Sequence, residues 1–333
     1  MRAAATLLSL LAIACGSRTA PSLDPLDAGP APVDAGPFCP PEVIVGVGVE
    51  VERPTVMWLL DRSGSMGLVL GDSGLDRTAA VRVALVEALP VLDPVADMGA
   101  IMFPGLTGGL LPVCDLPREA SVALGPDRSD AIVDALDRRP PHGGTPTADS
   151  LRIAHIELLG TNLPTIVLVT DGGPNCHPDL EDTRHHGGDA FACIDDGFPP
   201  EICFDDQRTL RNIVAAREDG ITTYVVGMDV DIPLFTEALD QMAVAGGRPR
   251  DGETRFYDVG QPDQLREAFE AITAEIVSCR FRAPTEPGSD ARVRIDGSAT
   301  DEWTALGSSV ELTGSACERA REGGTVTYIG SCL

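Results

Sequence analysis

The sequence contains no lysine, because all 25 of its basic residues are arginine. This absence excludes a phosphate-binding loop with its lysine, a Schiff base and a lysine general base. The 25 arginines face 51 acidic residues, which gives a formal net charge of -26 at pH 7. Nucleic acid is therefore excluded as a partner, since binding to phosphates needs a basic face.

Aromatic residues are also scarce, at 4% of a chain that is 43% hydrophobic. A chain of 333 residues with this hydrophobic share is long enough for one large domain with extensions, or for two domains. Its core must consist mainly of valine, leucine, isoleucine and alanine. The sequence also lacks a G-x-S-x-G motif, which argues against a hydrolase nucleophile elbow, and a CxxC pair, which argues against a metal-thiolate site.

Residues 1–15 have the features of an export signal. A cationic start precedes an apolar run at residues 3–14, which is too short to span a bilayer as a helix. The segment ends in a small residue before Cys15 and resembles a bacterial lipobox, with Ala12 where that motif usually has leucine. We therefore predict a signal peptide at 1–15 with lipidation of Cys15; the alternative is ordinary signal cleavage nearby.

Residues 16–38 are rich in proline, alanine, aspartate and glycine and repeat the letters DAGP. They lack a periodic apolar face, so they cannot bury enough surface to offset the entropy lost on ordering. We predict an extended tether.

Eight further cysteines follow Cys15. An even number of cysteines behind an export signal predicts four disulfides, and the sequence leaves their pairing open. The candidates are Cys39, Cys114, Cys176, Cys193, Cys203, Cys279, Cys317 and Cys332.

Predicted strands and helices alternate from residue 43 to about residue 278. The run TVMWLL at 55–60 is apolar without alternation, as expected of a strand covered on both faces. Further strands are predicted at 43–51, 99–103, 120–124, 165–169, 222–227 and 255–259. Helices are predicted at 77–89, 127–137, 148–159, 206–218, 233–244 and 262–277. This order predicts a doubly wound α/β fold with a mostly parallel sheet flanked by helices.

Short alternating segments between glycines replace this pattern after residue 278 and predict a small antiparallel β extension at 279–333. The strand predicted at 43–51 is a candidate partner for that extension, because chain termini often lie close together. The main domain is accordingly predicted at 39–278.

Oxygen-bearing side chains cluster at the ends of predicted buried strands. Asp61, Ser63 and Ser65 follow the first of these strands, Thr145 opens a helix after two glycines, and Asp171 follows a later strand. In an open α/β sheet, ligands bind outside the carboxyl ends of the strands. Two carboxylates and three hydroxyls form an oxygen-only set that suits Mg²⁺ or Mn²⁺, with Ca²⁺ as an alternative.

The pattern D-x-S-x-S after a buried strand, then G-G-T, then T-D-G after a later strand resembles the von Willebrand factor type A domain. The resemblance implies an intact metal-ion-dependent adhesion site in which Ser63, Ser65 and Thr145 coordinate the ion directly. It implies that Asp61 and Asp171 act directly or through water. It also implies that a partner protein supplies an Asp or Glu carboxylate to the open position of the ion.

The resemblance covers about residues 52–278 and depends on three dispersed motifs in the right order. Thr147 is a rival for the threonine role, although the position after Gly143 and Gly144 matches the family better. The alternative for D-x-S-x-S alone is an ordinary turn in which Ser and Asp satisfy backbone groups.

Other kinds of site fit the sequence less well. A phosphatase with an aspartyl-phosphate intermediate would need a second Asp at position 63, where the chain has Ser. His177, His185 and His186 lie near three cysteines, but their spacing fits no zinc pattern, and export favours disulfides.

Two long segments are expected to meet at the rim of the candidate site. The segment from Gly172 to about Asp205 shows no helical or strand period and contains three cysteines. The segment at 104–118 contains Cys114. We expect the two to form a disulfide-braced collar that selects the partner.

Taken together, these patterns predict a protein without enzymatic activity that binds other proteins in a cation-dependent way. It would serve adhesion or complex assembly as a lipid-anchored protein of the bacterial outer membrane or cell surface. The alternatives are a Mg²⁺-dependent phosphate-ester hydrolase and a structural envelope protein whose ion only stabilises the fold.

Overall fold

A six-stranded sheet carries the candidate site. The computed structural model describes residues 47–49, 53–105, 114–177, 179–180, 185–186, 189–277, 279–283, 287–288, 291–307, 309–321 and 324–330. All of them belong to one unit, Val43–Leu333. The predicted signal peptide, Cys15, the tether at 16–38, Cys39 and Cys332 lie outside the described residues.

The strands of the described residues are β1 Val47–Val49, β2 Thr55–Asp61, β3 Asp97–Phe103, β4 Val122–Gly125, β5 Thr165–Thr170, β6 Thr222–Met228, β7 Tyr257–Val259, β8 Cys279–Arg282, β9 Arg292–Ile295, β10 Ser298–Thr300, β11 Trp303–Leu306, β12 Ser309–Leu312 and β13 Val326–Ile329. The helices are α1 Arg77–Leu92, α2 Ser129–Asp137, α3 Thr147–Leu158, α4 Ala190–Asp195, α5 Pro200–Cys203, α6 Asp206–Glu218, α7 Pro233–Ala245, α8 Pro262–Ile276 and α9 Gly314–Arg321.

The main sheet has the strand order β4-β3-β2-β5-β6-β7, and every pair in it is parallel except β3 with β4. The chain runs outward from β2 through β3 to β4 and then returns to β5 on the other side of β2. The crevice at the carboxyl ends of β2 and β5 is therefore the switch point at which ligands bind in this class of fold. This topology confirms the predicted doubly wound α/β fold with a mostly parallel sheet.

Both faces of β2 are buried, as its unbroken apolar run predicts. Val56, Trp58 and Leu60 pack into one core layer with α1, α2 and α8. Met57 and Leu59 pack into the other layer with α3, α6 and α7. All five side chains are 0% exposed. The two helical layers hold β2 rigidly in the middle of the sheet, so the loop that follows it starts from a fixed point.

Helix α1 continues past Pro90, where the sequence predicted its end, and stops at Leu92. The proline lies in the last turn on an exposed face. Its missing N–H would have bonded the carbonyl of Val86, a residue that is 48% exposed, so water can take that place.

Strand β4 was predicted as a buried strand but is an antiparallel edge strand with only Val122 buried. β4 follows β3 along the chain and pairs with it antiparallel at the edge of the sheet, so the buried central strands lie only on the other side of β3.

Helix α2 begins at Ser129, and the side chain of the preceding residue, Arg128, makes no capping hydrogen bond. The carboxylate of Asp93 accepts hydrogen bonds from the N–H groups of Arg128 and Ser129 at 2.9 and 3.2 Å. The cap thus comes from the end of another helix, which the local sequence does not reveal.

The predicted β extension is present as two small antiparallel sheets, β1-β13-β9-β10 and β11-β12-β8, around their own core. β1 pairs with β13, which confirms that the early strand joins the extension. Helix α9 was not predicted. Within the described part of the chain, no helix is both long and apolar enough to cross a membrane.

Candidate metal centre

Asp61 anchors the first motif at the end of β2. Its Oδ1 accepts the N–H of Ser63 at 2.7 Å, and its Oδ2 accepts the hydroxyl of Thr170 at 2.6 Å. The side chain is almost fully buried, with 1% of the residue exposed. The carboxylate therefore joins the loop after β2 to the end of β5, the neighbouring strand.

The two serines and Asp171 form a continuous chain of oxygen atoms. The Oγ atoms of Ser63 and Ser65 lie 3.1 Å apart, and Ser65 Oγ donates to Asp171 Oδ1 at 2.8 Å. A short 3-10 turn at Gly64–Gly67 carries the second serine. Four of the five predicted residues are thus linked through direct hydrogen bonds, although Asp171 lies more than a hundred positions along the chain from Ser65.

Thr145 lines the same cleft as Ser63, Ser65 and Asp171. Its segment touches the first motif through a hydrogen bond of 2.9 Å from Gly64 N–H to the carbonyl of Gly143. The rival Thr147 is buried, and its hydroxyl donates to the carbonyl of Thr145 at 3.4 Å.

Burial of two neighbouring carboxyls raises their pKa values. Burial first, and the charge of Asp171 second, raise the pKa of Asp61 to about 7, against hydrogen bonds from Thr170 and Ser63 that lower it. Burial also raises the pKa of Asp171, and the hydrogen bond from Arg77 opposes that rise. The centre therefore holds buried negative charge that its hydrogen bonds compensate only in part.

Arg77, which the sequence analysis did not single out, lies beside the centre at the start of α1. Its Nη1 donates to Asp171 Oδ2 at 2.5 Å, and its Nη2 lies 3.4 Å from Asp229 Oδ2. The arginine side chain is 12% exposed and that of Asp171 is 0% exposed. A fixed cation thus shares the carboxylate predicted to serve a metal ion. Nothing in the local sequence distinguishes this arginine from the others.

Arg62, the second residue of the first motif, supports the loops around the centre, and the sequence did not indicate this role. Its side chain is 0% exposed, and its guanidinium donates to the carbonyls of Arg139 and Pro104 at 3.2 and 3.4 Å. Burial lowers its pKa to about 10, with the charge of Arg139 adding to the effect. Arg62 thereby holds the loops after β3 and before α3 against the first motif.

The described part of the segment between β5 and α6 contains the short helices α4 and α5 and three disulfide-bonded cysteines, whereas the sequence predicted no helices there. Cys193 and Cys203 form a disulfide that joins α4 to α5. Cys114 and Cys176 form another, which connects the two segments predicted to make a collar. The third described disulfide, Cys279–Cys317, lies in the β extension. Because Cys176, Cys193 and Cys203 are all oxidised, no thiolate from them is left for zinc.

The cleft above the oxygen centre has a volume of about 720 Å³. One wall is aromatic: Phe191, Phe204 and Phe235 meet pairwise with ring centroids 5.2 to 6.0 Å apart. Phe204 and Phe235 are buried, while Phe191 is 48% exposed. Five charged residues line the cleft, and four of them are acidic: Arg77, Asp171, Asp189, Asp229 and Asp231.

The donor set is chemically suited to a hard divalent cation, because it offers only carboxylate and hydroxyl oxygens. It contains two carboxylates and no histidine or cysteine. Accordingly, the described residues contain no group of three or more His, Cys, Asp or Glu side chains arranged to hold a metal. A cation would neutralise the buried charge on Asp61 and Asp171, so the residues present fit such an ion.

No family model matches the chain, and no curated protein matches it. Among solved structures, the pilus adhesin SpaC from Lactobacillus rhamnosus GG aligns with a TM-score of 0.50 and 18% identity over 84% of this chain and 39% of SpaC. The PilB minor pilin from Streptococcus sanguinis aligns at 0.47 with 18% identity over 69% of this chain and 62% of PilB. The vWF domain of the type V pili tip protein Mfa5 from Porphyromonas gingivalis aligns at 0.47 with 15% identity over 68% of this chain and 96% of that domain.

This chain spans 39% of the length of SpaC and 62% of that of PilB. At such identities the likeness concerns the fold alone. The fold is of the doubly wound α/β class, with a mostly parallel sheet.

Proposed function

We propose that this protein is a divalent-cation-dependent protein-binding module of the bacterial cell envelope that serves adhesion or complex assembly. The observation that carries the proposal is the hydrogen-bonded chain Ser63–Ser65–Asp171, joined to Asp61 through Ser63 and lying beside Thr145 in one cleft at the switch point of the sheet.

In this proposal Ser63, Ser65 and Thr145 bind Mg²⁺, Mn²⁺ or Ca²⁺ directly, as the resemblance to the von Willebrand factor type A domain implies. Asp61 and Asp171 bind the ion directly or through water. When bound, the ion supplies an electrophilic position that attracts a carboxylate from outside. The hydroxyl ligands add no negative charge, so the ion stays attractive to such a group.

The charge of the cleft makes the partner's binding depend on the ion. Without a cation, an Asp or Glu of a partner would meet Asp189, Asp229 and Asp231 with only Arg77 to offset them. A bound divalent ion reverses the local field at the point where the carboxylate arrives.

We further propose that the aromatic wall selects the partner, as expected of a disulfide-braced collar. Phe191 offers a half-exposed ring beside the ion position, and buried Phe204 and Phe235 hold it there. The partner segment would thus carry an acidic residue with an apolar side chain next to it.

Export, lipidation at Cys15 and the tether at 16–38 complete the proposal. They would place the module at the outer membrane or the cell surface, where the disulfides are stable. The pilus adhesin SpaC shares the fold and supports an adhesive role by analogy.

The first experiment measures the ion. Mn²⁺ is titrated into the exported protein by calorimetry, and Ser65→Ala is compared with Ser298→Ala, a change at an exposed serine in the β extension. We expect the wild type and Ser298→Ala to bind one ion and Ser65→Ala to bind at least about tenfold more weakly. A wild type that binds no divalent cation would refute the proposed function.

The second experiment measures the partner's chemistry. A displayed peptide library is selected on the protein in Mg²⁺ and in EDTA, with Phe191→Ala as the variant and Phe198→Ala as its control. We expect Mg²⁺-dependent enrichment of acidic peptides with an adjacent apolar residue, lost in Phe191→Ala alone. Enrichment unaffected by EDTA would contradict the role of the ion, and hydrolysis of p-nitrophenyl phosphate with Mg²⁺ would favour the hydrolase alternative.

A further inference from the structure

Asn175 lies four residues after Asp171 and hydrogen-bonds both the backbone N–H and the backbone carbonyl of Thr145. Its side-chain Oδ1 accepts the N–H of Thr145 at 2.6 Å. Its own N–H donates to the carbonyl of Thr145 at 2.9 Å. Two hydrogen bonds from one residue fix both peptide groups of Thr145, and hence the direction in which its side chain leaves the backbone.

The close approach of the two segments depends on Gly144. A Cβ added there would lie 2.6 Å from Asn175 Oδ1 and 2.6 Å from Cys176 Sγ, far inside van der Waals contact. The backbone of Gly144 is not in the left-handed region, so its lack of a side chain serves packing rather than turn geometry. The second glycine of G-G-T therefore gives Asn175 and the disulfide access to Thr145.

Cys176 anchors Asn175 covalently. It is fully buried, and its disulfide to Cys114 ties the segment after β5 to the loop after β3. Its backbone has φ of +71°, which non-glycine residues rarely adopt. A residue in that region keeps its conformation only when its surroundings hold it, and here the disulfide is one of the groups that do so.

We propose that Asn175, anchored by the Cys114–Cys176 disulfide, is a positioning residue that holds Thr145 where it can bind the cation. This inference rests on the proposed function and deepens it. Cation affinity then depends on a pair of hydrogen bonds and a disulfide that do not touch the ion. The Cys114–Cys176 disulfide therefore supports the metal centre itself as well as the wall of the cleft.

The test measures Mn²⁺ affinity by calorimetry and the unfolding midpoint in EDTA for each variant of the full chain. Asn175→Ala removes the acceptor for Thr145 N–H, and we expect it to weaken Mn²⁺ binding by about tenfold or more. Asn175→Asp keeps an acceptor oxygen and is expected to restore affinity to that of the wild type or better. Gly144→Ala, which leaves Asn175 intact but pushes it away, should match Asn175→Ala.

The disulfides provide a matched pair. One double variant, Cys114→Ala with Cys176→Ala, removes the first disulfide. A second, Cys193→Ala with Cys203→Ala, removes the other. Both double variants should have a lower unfolding midpoint in EDTA than the wild type. Only the first pair should weaken Mn²⁺ binding, by about fivefold to tenfold. Equal affinities in the two double variants would overturn the role of the anchor.

The outcomes separate this inference from the proposed function. A wild type that binds Mn²⁺ while Asn175→Ala and Gly144→Ala bind it equally well would overturn the positioning role and leave the proposed function intact. A wild type that binds no Mn²⁺ would overturn both. If Asn175→Ala does not fold, the comparison of Gly144→Ala with the wild type decides the question.

Discussion

Replacement of Arg77 by methionine tests the electrostatics of the centre most directly. The guanidinium contacts Asp171, whose side chain is 0% exposed, so the variant leaves a buried carboxylate without its cation. Loss of one partner from a buried ion pair costs about 3 to 5 kcal/mol, and protonation of the carboxyl relieves part of that cost. We therefore expect Arg77→Met to unfold at lower urea in EDTA, by the equivalent of about 2 to 4 kcal/mol.

The same substitution should tighten cation binding. A divalent and a univalent charge about 6 Å apart repel by roughly 1.5 to 3 kcal/mol at effective dielectric constants of about 40 to 80. Removal of Arg77 takes away this repulsion and leaves Asp171 free for the ion. We expect Mn²⁺ to bind about 10- to 100-fold more tightly to Arg77→Met than to the wild type, so that saturating Mn²⁺ recovers much of the lost stability.

Arg82 provides the control on the same helix. Its pair with Asp137 is exposed, at 47% and 45% of the two side chains, so Arg82→Met should leave both the urea midpoint in EDTA and the Mn²⁺ affinity unchanged. If Arg77→Met bound Mn²⁺ no more tightly than the wild type, the reasoning that Arg77 and the ion compete for Asp171 would be refuted.

Three further predictions follow from buried groups elsewhere in the fold. Arg62→Met should destabilise the protein by about 2 to 4 kcal/mol in urea denaturation, because two loop carbonyls lose their buried donor; an unchanged midpoint would contradict this role. Burial, with the charge of Asp205, raises the pKa of Asp206 from 3.8 to about 6. The contribution of the protonated Asp206 carboxyl to stability is therefore fully present below pH 4 and is lost as pH rises through 6. Asp206→Asn should therefore stabilise by about 1 to 2 kcal/mol at pH 7.5 and have no effect near pH 3.5, and equal effects at both pH values would exclude the explanation. Gly173→Ala places a Cβ 2.5 Å from Phe235, so it should lower thermal stability and peptide binding together, and a peptide affinity equal to that of the wild type would show that the aromatic wall is not displaced.

Much of the fold follows from local patterns that the structure preserves. The run at Thr55–Asp61 has no alternation, and both faces of the strand are covered. The helix predicted at 206–218 has those bounds in the structure, because its apolar positions repeat with the helical period. By contrast, α1 runs through Pro90 to Leu92, since a proline in an exposed last turn costs little.

For the candidate centre, the sequence predicted the residues but not the contacts between them. Three motifs in the sequence predicted Asp61, Ser63, Ser65, Thr145 and Asp171, and four of them are linked through direct hydrogen bonds in the structure. Their assignment as metal ligands stays a prediction until an ion is measured.

The sequence by itself determined the central buried strands β2, β3 and β5, the oxygen side chains that follow β2 and β5, and that the cysteines suit an oxidising compartment. These features are encoded in neighbouring residues, through periodicity and turn chemistry. Only the tertiary structure decided that Cys114 pairs with Cys176, that Arg77 reaches Asp171, and that Asn175 holds Thr145. Each of these contacts joins residues at least 30 positions apart, and such contacts depend on the order of strands in the sheet, which no local pattern specifies.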